Sequence, residues 1–209
     1  MRPERLVVVL GTGTGVGKTW VTAGLIEHFR RQGIRVAARK PAQSFTPGEV
    51  TDAELLGQAS SEAPVQVCPE HRWYEVPLAP PMAAQALGRP AFTIADLAGE
   101  LAWPDAVDIG LIEGVGGVRS PLAIDGDCVD LIAAVGPDVV ALVAEAGLGT
   151  VNLVRMSTDG LRGSRVVVYL NWFDHGVDLH RRNREWLEER MDLTVESDLG
   201  LLHQRLMVW

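Results

Sequence analysis

Between Leu6 and Thr19 the chain reads LVVVLGTGTGVGKT, and this stretch limits what the chain can fold into more than any other. Five consecutive apolar residues, Leu6 to Leu10, with β-branched valine at their centre, have the length and composition of a strand buried on both faces, as in parallel sheets. Four glycines then fall in seven positions (Gly11, Gly13, Gly15, Gly17), and Lys18-Thr19 opens a helical pattern. Glycine lets the backbone turn tightly and aim successive N–H groups into one hollow, and the helix that follows adds partial positive charge at its first turn. A strand, loop and helix of this kind predict a phosphate cradle, with the lysine reaching the outer phosphates and the threonine hydroxyl on Mg²⁺. The strict pattern G-x-x-x-x-G-K-[ST] is missed by one place, because its first glycine falls at Thr12; the intact G-K-T tail carries the reading.

Downstream the pattern alternates. A helix is expected over 18–32, stopped by Gly33, then a strand over 34–39 closed by Lys40-Pro41, a loop to Gly48, and a helix from Thr51-Asp52. Prolines make 64–81 irregular, with short helices over 82–87 and 94–101. Strands follow over 107–112, 139–144 and 165–170, the last ending at Asn171; helices are expected over 129–135, 150–158 and 178–191, and a last strand over 193–196. Such alternation predicts an α/β fold, a mostly parallel sheet flanked by helices, in one P-loop NTPase-like domain spanning residues 1–209. In parallel sheets ligands gather beyond the carboxyl ends of the strands. Each polar or glycine-rich stretch of interest falls at such an end: Gly11–Thr19, Lys40–Ser44, Glu113–Gly117, Glu145–Asn152 and Asn171.

The charge balance, 19 Lys+Arg against 27 Asp+Glu, argues against nucleic acid as a partner, since a phosphate backbone needs clustered positive charge. The short run Arg181-Arg182-Asn183-Arg184 reads as a solvated helix face. Cys68 and Cys128, without CxxC spacing, point to a reducing compartment, and no stretch approaches the apolar length of a membrane span, so a soluble cytoplasmic protein is expected.

Three further residues carry candidate chemistry. Lys40 ends a strand before a stiffening proline, where a second cation beside a phosphate cradle would neutralise charge in phosphoryl transfer. Glu113, between a buried strand and a glycine-rich turn, has the position of an acid that holds Mg²⁺ or its waters. Asp52, at a helix start, reads more readily as an N-cap or first-turn residue than as a metal ligand.

In order along the chain, these pieces resemble the dethiobiotin synthetases, ATP-dependent ligases of biotin biosynthesis. GTGTGVGKT resembles that family's G-T-[DG]-T-x-V-G-K-T; KPAQS (Lys40 to Ser44) its K-P-V-x-[ST]; Thr51-Asp52 its [ST]-D helix start; PLAPPMAA its P-x-[AS]-P-x-x-A. EGVGGVRSPL (Glu113 to Leu122) resembles its E-G-A-G-G-x-x-x-P-L, and LGTVN its L-G-x-[IL]-N. The resemblance implies that carbon dioxide joins one amine of 7,8-diaminopelargonic acid, that ATP phosphorylates the carbamate, and that the second amine closes a cyclic urea. It implies that Lys18 and Lys40 stabilise the transferring phosphoryl group and that Thr19, Asp52 and Glu113 hold Mg²⁺. It places the nucleotide along Gly15, Val16, Gly17, Lys18, Thr19 and Trp20 and along Glu113, Gly114, Val115 and Gly116, with Asn171 on the adenine edge. Thr14, Lys40 and Ser44 would contact the substrate near the carbamate. In the implied homodimer, Thr150 and Asn152 of the partner's helix start would take the substrate carboxylate.

Three departures modify these expectations. Gly13 stands where many members have Asp. Phe45 follows Ser44 where a small residue is usual, which predicts a crowded substrate entrance. The family's late G-x-[IVL]-P-x-[LW] segment has no clear match in VESDLGLLHQRLMVW, which predicts a loose purine pocket open to other nucleoside triphosphates. Two rival readings stay open at this point: a ParA/MinD-like switch ATPase, whose signature lysine would fall at Gly13, and a homologue that binds without turnover.

Overall fold

Leu6, Val8 and Leu10 project into one apolar cluster and Val7 and Val9 into another, so the strand that carries them is core on both faces. The computed structural model, which describes residues 2–208, builds the rest around it. Its strands are β1 (Arg5–Gly11), β2 (Val36–Arg39), β3 (Gln43–Ser44), β4 (Trp73–Tyr74), β5 (Ile109–Glu113), β6 (Pro121–Ala123), β7 (Gly126–Asp127), β8 (Val139–Glu145), β9 (Val166–Asn171) and β10 (Thr194–Glu196). Its α-helices are α1 (Lys18–Arg31), α2 (Asp52–Ser60), α3 (Pro64–Val67), α4 (Pro80–Ala86), α5 (Ile94–Gly99), α6 (Cys128–Val135), α7 (Thr150–Gly160), α8 (Asp178–Met191) and α9 (Leu199–Val208).

A six-stranded sheet runs in the order β10-β9-β8-β1-β5-β2, and every pairing in it is parallel. All its carboxyl ends therefore open on one edge. Helices α1, α2 and α9 cover one face, with Val21, Leu25, Phe29, Leu56 and Leu202 in the interface. Ile94, Leu97, Leu131, Val154 and Leu187, from α5 to α8, cover the other. The fold is α/β with a parallel sheet between helical layers.

Register then places the chemistry. Arg39 pairs with Ile112 and Val9 with Glu113, so Lys40 and Glu113 emerge side by side at the tips of neighbouring strands although 73 residues separate them.

Three sequence expectations are corrected. The stretch 64–81 is not irregular throughout: it contains α3 and β4, and Pro80 and Pro81 open α4 instead of excluding it, because first-turn N–H groups have no helical partner to lose. The loop after Lys40 contains the two-residue strand β3, which pairs in parallel with β4. The C-terminal segment beyond 196, where the sequence predicts no element, forms α9, and the N–H groups of Gly200 and Leu201 in its first turn donate to the Asp198 carboxylate at 2.8 and 3.0 Å.

Candidate active site

The phosphate loop leaves β1 at Gly11 and enters α1 through Gly17, whose φ of +90° lies in the left-handed region. A methyl group at Gly17 would stand 2.1 Å from Asn171 Nδ2, so both the backbone angle and the neighbour require glycine. The Asn171 amide in turn donates to Val16 O at 3.0 Å and ties the tip of β9 to the loop. Lys18, the first residue of α1, reaches back across the loop and donates to Gly13 O at 3.0 Å.

Lys40, Glu113, Asp52 and Thr19 meet beside this loop. Lys40 is 3% exposed; its Nζ lies 2.6 Å from Glu113 Oε1 and 2.6 Å from Asp52 Oδ2, and donates to Gly114 O at 3.1 Å. Burial opposes the charge on Lys40, but the two carboxylates outweigh burial and hold its pKa above the ordinary lysine value. Lys18 goes the other way: burial, then the nearby Lys40 charge, lower its pKa. Burial would raise Asp52, yet the contacts with Lys40 and Thr19 bring it below the usual aspartate value. The Thr19 hydroxyl lies 2.8 Å from Asp52 Oδ1 and 2.9 Å from Glu113 Oε1. With one proton it donates to one of these at a time.

Asp52 is free for this role because another residue caps α2. Thr51 is the N-cap: its hydroxyl accepts from Glu54 N, and the Glu54 carboxylate accepts from Thr51 N.

Above the cluster lies a cavity of about 470 Å³. It is lined by the phosphate loop and α1 start (Thr14, Gly15, Gly17, Lys18, Thr19, Trp20), by Lys40, Ser44 and Asp52, and by Val115 and Gly116. Glu113, fully buried, does not line the cavity itself and is linked to it through Lys40 and Thr19.

Comparison with known proteins accords with this geometry. A family model described as an AAA domain matches residues 5–170. The ATP-dependent dethiobiotin synthetase BioD of Anaeromyxobacter sp. strain Fw109-5 is 40% identical over 167 residues, 78% of this chain and 74% of that protein. The enzyme of the same name from Haloferax mediterranei is 38% identical over 184 residues, 87% of this chain and 78% of that protein. This chain belongs to the dethiobiotin synthetase family. Among solved structures, the signal recognition particle receptor FtsY of Elizabethkingia anophelis superposes with a TM-score of 0.58 at 12% identity, over 95% of this chain and 61% of that one, a likeness of fold alone.

In this member of the dethiobiotin synthetases, the expected substrate residues are divided between two hollows. Thr14 lines the main cavity and also a second, of about 260 Å³, together with Thr12, Glu145, Leu148 and Thr150. Asn152 lines neither; it is exposed on α7 beside Met156, with Nδ2 3.6 Å from the sulfur. Phe45 does not crowd the main cavity as its size suggested. Its ring packs edge-on against Trp73 at 6.2 Å between centroids, a contact that β3–β4 pairing creates. Pro77, Leu78 and Ala79 complete the wall.

Buried polar atoms without a partner are costly, and several are gathered here: Glu113 Oε2, Ser44 Oγ, Gln43 Nε2, Thr12 Oγ1 and Thr150 Oγ1. The unpartnered Glu113 oxygen stands with Thr19 and Asp52 in a set of hard oxygen donors, which fits Mg²⁺. Gln43, at the variable position of the K-P-V-x-[ST] pattern, is a cavity residue that the sequence does not single out. A polar residue between Ala42 and Ser44 at a strand tip was the signal available for it.

Proposed function

We propose that this chain is an ATP-dependent dethiobiotin synthetase, a ligase that carboxylates 7,8-diaminopelargonic acid and closes the cyclic urea. The observation that carries the reading is the convergence of Lys18, Thr19, Lys40 and Asp52 on one cavity, with Glu113 buried behind Lys40 and Thr19, from two strand tips and two helix starts. The phosphate loop and the first turn of α1 bind the triphosphate through backbone N–H groups, and Lys18 reaches its outer phosphates. Thr19, Asp52 and Glu113 would hold Mg²⁺, which when bound offsets charge on the phosphates.

Carbon dioxide adds to one amine of the diamine, giving a carbamate and a proton. A carbamate oxygen attacks the outer phosphorus of ATP, ADP leaves, and a carbamic–phosphoric anhydride forms. The second amine attacks the carbonyl carbon, phosphate leaves, and the five-membered urea closes. Lys40 and Lys18 stabilise the phosphoryl group in flight, and Thr14 and Ser44 position the carbamate. The rate gain asked of the protein is holding reactants together and matching charge.

A homodimer supports the far end of the substrate in this reading. Leu148 is 92% exposed just before α7, and Leu153 and Met156 are exposed along that helix, an apolar face suited to a second copy. The N–H groups that open α7, with Thr150 and Asn152, would take the substrate carboxylate from across that interface. Among the described residues no helix is long and apolar enough to cross a membrane.

The test is phosphate release by purified protein with ATP, MgCl₂, bicarbonate and the diamine. Release should require the diamine and stop when the divalent cation is chelated. Diamine-independent ATP hydrolysis refutes the assignment and favours a switch ATPase.

A further inference from the structure

Gln43 is 2% exposed, and its carboxamide has one orientation open to it. Its Oε1 accepts from Ala53 N, in the first turn of α2, at 3.0 Å. Turning the amide over would set two donors against each other, so Nε2 points the other way. Nε2 is buried without a hydrogen-bond partner, and the side chain lines the 470 Å³ cavity with Lys40 and Ser44. No protein acceptor is paired with it: Lys40 and Lys18 are cations without a lone pair, and the Ser44 hydroxyl, which can accept, is itself buried and unpartnered. The Asp52 carboxylate in the same lining is engaged by Thr19 and Lys40. A buried N–H₂ left unmade is expensive, so the occupant of the cavity has to bring an acceptor oxygen.

Position separates two candidate oxygens. Gln43 and Ser44 belong to β3, while the backbone donors suited to a triphosphate belong to the loop after β1. We propose that Gln43 contacts the substrate, Nε2 donating a hydrogen bond to an oxygen of the carbamate formed on the diamine. The inference rests on the reaction proposed above and adds a residue to it. The planar carbamate carries its charge over two oxygens, so the Gln43 amide and the Ser44 hydroxyl supply donors to it from outside the phosphate cradle. The two ends of the same side chain then have separate tasks. Oε1 holds the start of α2, and with it Asp52; Nε2 reads the substrate.

Gln43→Glu separates those tasks, because a carboxylate still accepts from Ala53 N but has no proton to donate. Gln43→Met fills the same space with neither group. The assay is diamine-dependent phosphate release with the diamine, bicarbonate and ATP varied in turn, alongside calorimetric ADP binding. Both variants should raise KM for the diamine roughly 10- to 100-fold, the range for losing a hydrogen bond to a charged group. KM for ATP and the ADP affinity should stay at wild-type values in Gln43→Glu. An unchanged KM for the diamine in both variants overturns the proposal, and a defect confined to ATP overturns it by moving the donor to the phosphoryl group. Wild-type protein that releases phosphate without the diamine overturns the underlying reaction and this contact with it; an active wild type with an unaffected Gln43→Glu overturns the contact alone.

Discussion

Replacing Lys40 with methionine should cost stability as well as turnover, and the size of that cost follows from what it leaves behind. A lysine known only as the end of a strand would be expected to affect catalysis alone. In the structure Lys40 neutralises a fully buried Glu113, and removing one partner of a buried pair typically costs about 3–5 kcal/mol. Asp52, with 38% of its side chain exposed, adds little because solvent screens it. Lys18 lies close enough to return part of the loss. The expected penalty at pH 7 is therefore about 2–4 kcal/mol.

Urea unfolding of wild type and Lys40→Met at pH 7 measures this directly. Adding Glu113→Gln to Lys40→Met removes the stranded charge and should recover most of the loss, a strong non-additivity between two contacting residues. A penalty below about 1 kcal/mol refutes the reasoning, as does a double variant no more stable than the single one.

Two further outcomes follow from the same geometry. Gly17→Ala should lose roughly 1–3 kcal/mol of stability through its left-handed backbone and the displaced Asn171 amide, and should weaken ADP binding in calorimetry; wild-type affinity would contradict the described loop. His203 is buried with both ring nitrogens unpartnered, against His28 and Phe29, and burial, then His28, lowers its pKa from the ordinary 6.5. The unfolded chain therefore takes up that proton first, so stability should be intact above pH 7 and fall as pH drops through 6.5, with His203→Phe flattening the fall in thermal melts. An identical pH profile in the variant would refute this.

What could be read from the sequence was local. Strand β1, its glycine loop and α1 are contiguous, so spacing alone places them, and Asp178–Met191 shows its helical period over its whole length. Glu113 and Lys40 could each be suspected, but their contact is a consequence of β2–β5 register, which no local pattern encodes. Strands β3 and β4 are two residues each, too short to show a period, and their pairing is what turns Phe45 onto Trp73 and away from the cavity. Helix α9 was hidden for another reason. Its apolar residues Leu202 and Leu206 are explained by the sheet face they cover beside α1, and that face exists only after folding. For Asn171, whose family resemblance points to the adenine edge, the structure adds a tie to Val16 O that sequence could not supply.

The cluster itself is a poor device for stability, and this bears on what it is for. A buried ion pair repays its desolvation only when geometry and extra hydrogen bonds are good, and apolar residues of the same volume often serve the fold as well or better. Here the two lysines and two carboxylates balance, yet an oxygen of Glu113 and an amide of Gln43 are left without partners. A fold selected only for stability would satisfy or remove such groups. Their survival is intelligible if each meets its partner during the reaction, the carboxylate oxygen a cation and the amide an anionic oxygen. Charges held in place before the reactants arrive need no reorganisation at the moment of phosphoryl transfer, which is where preorganised electrostatics lowers a barrier most.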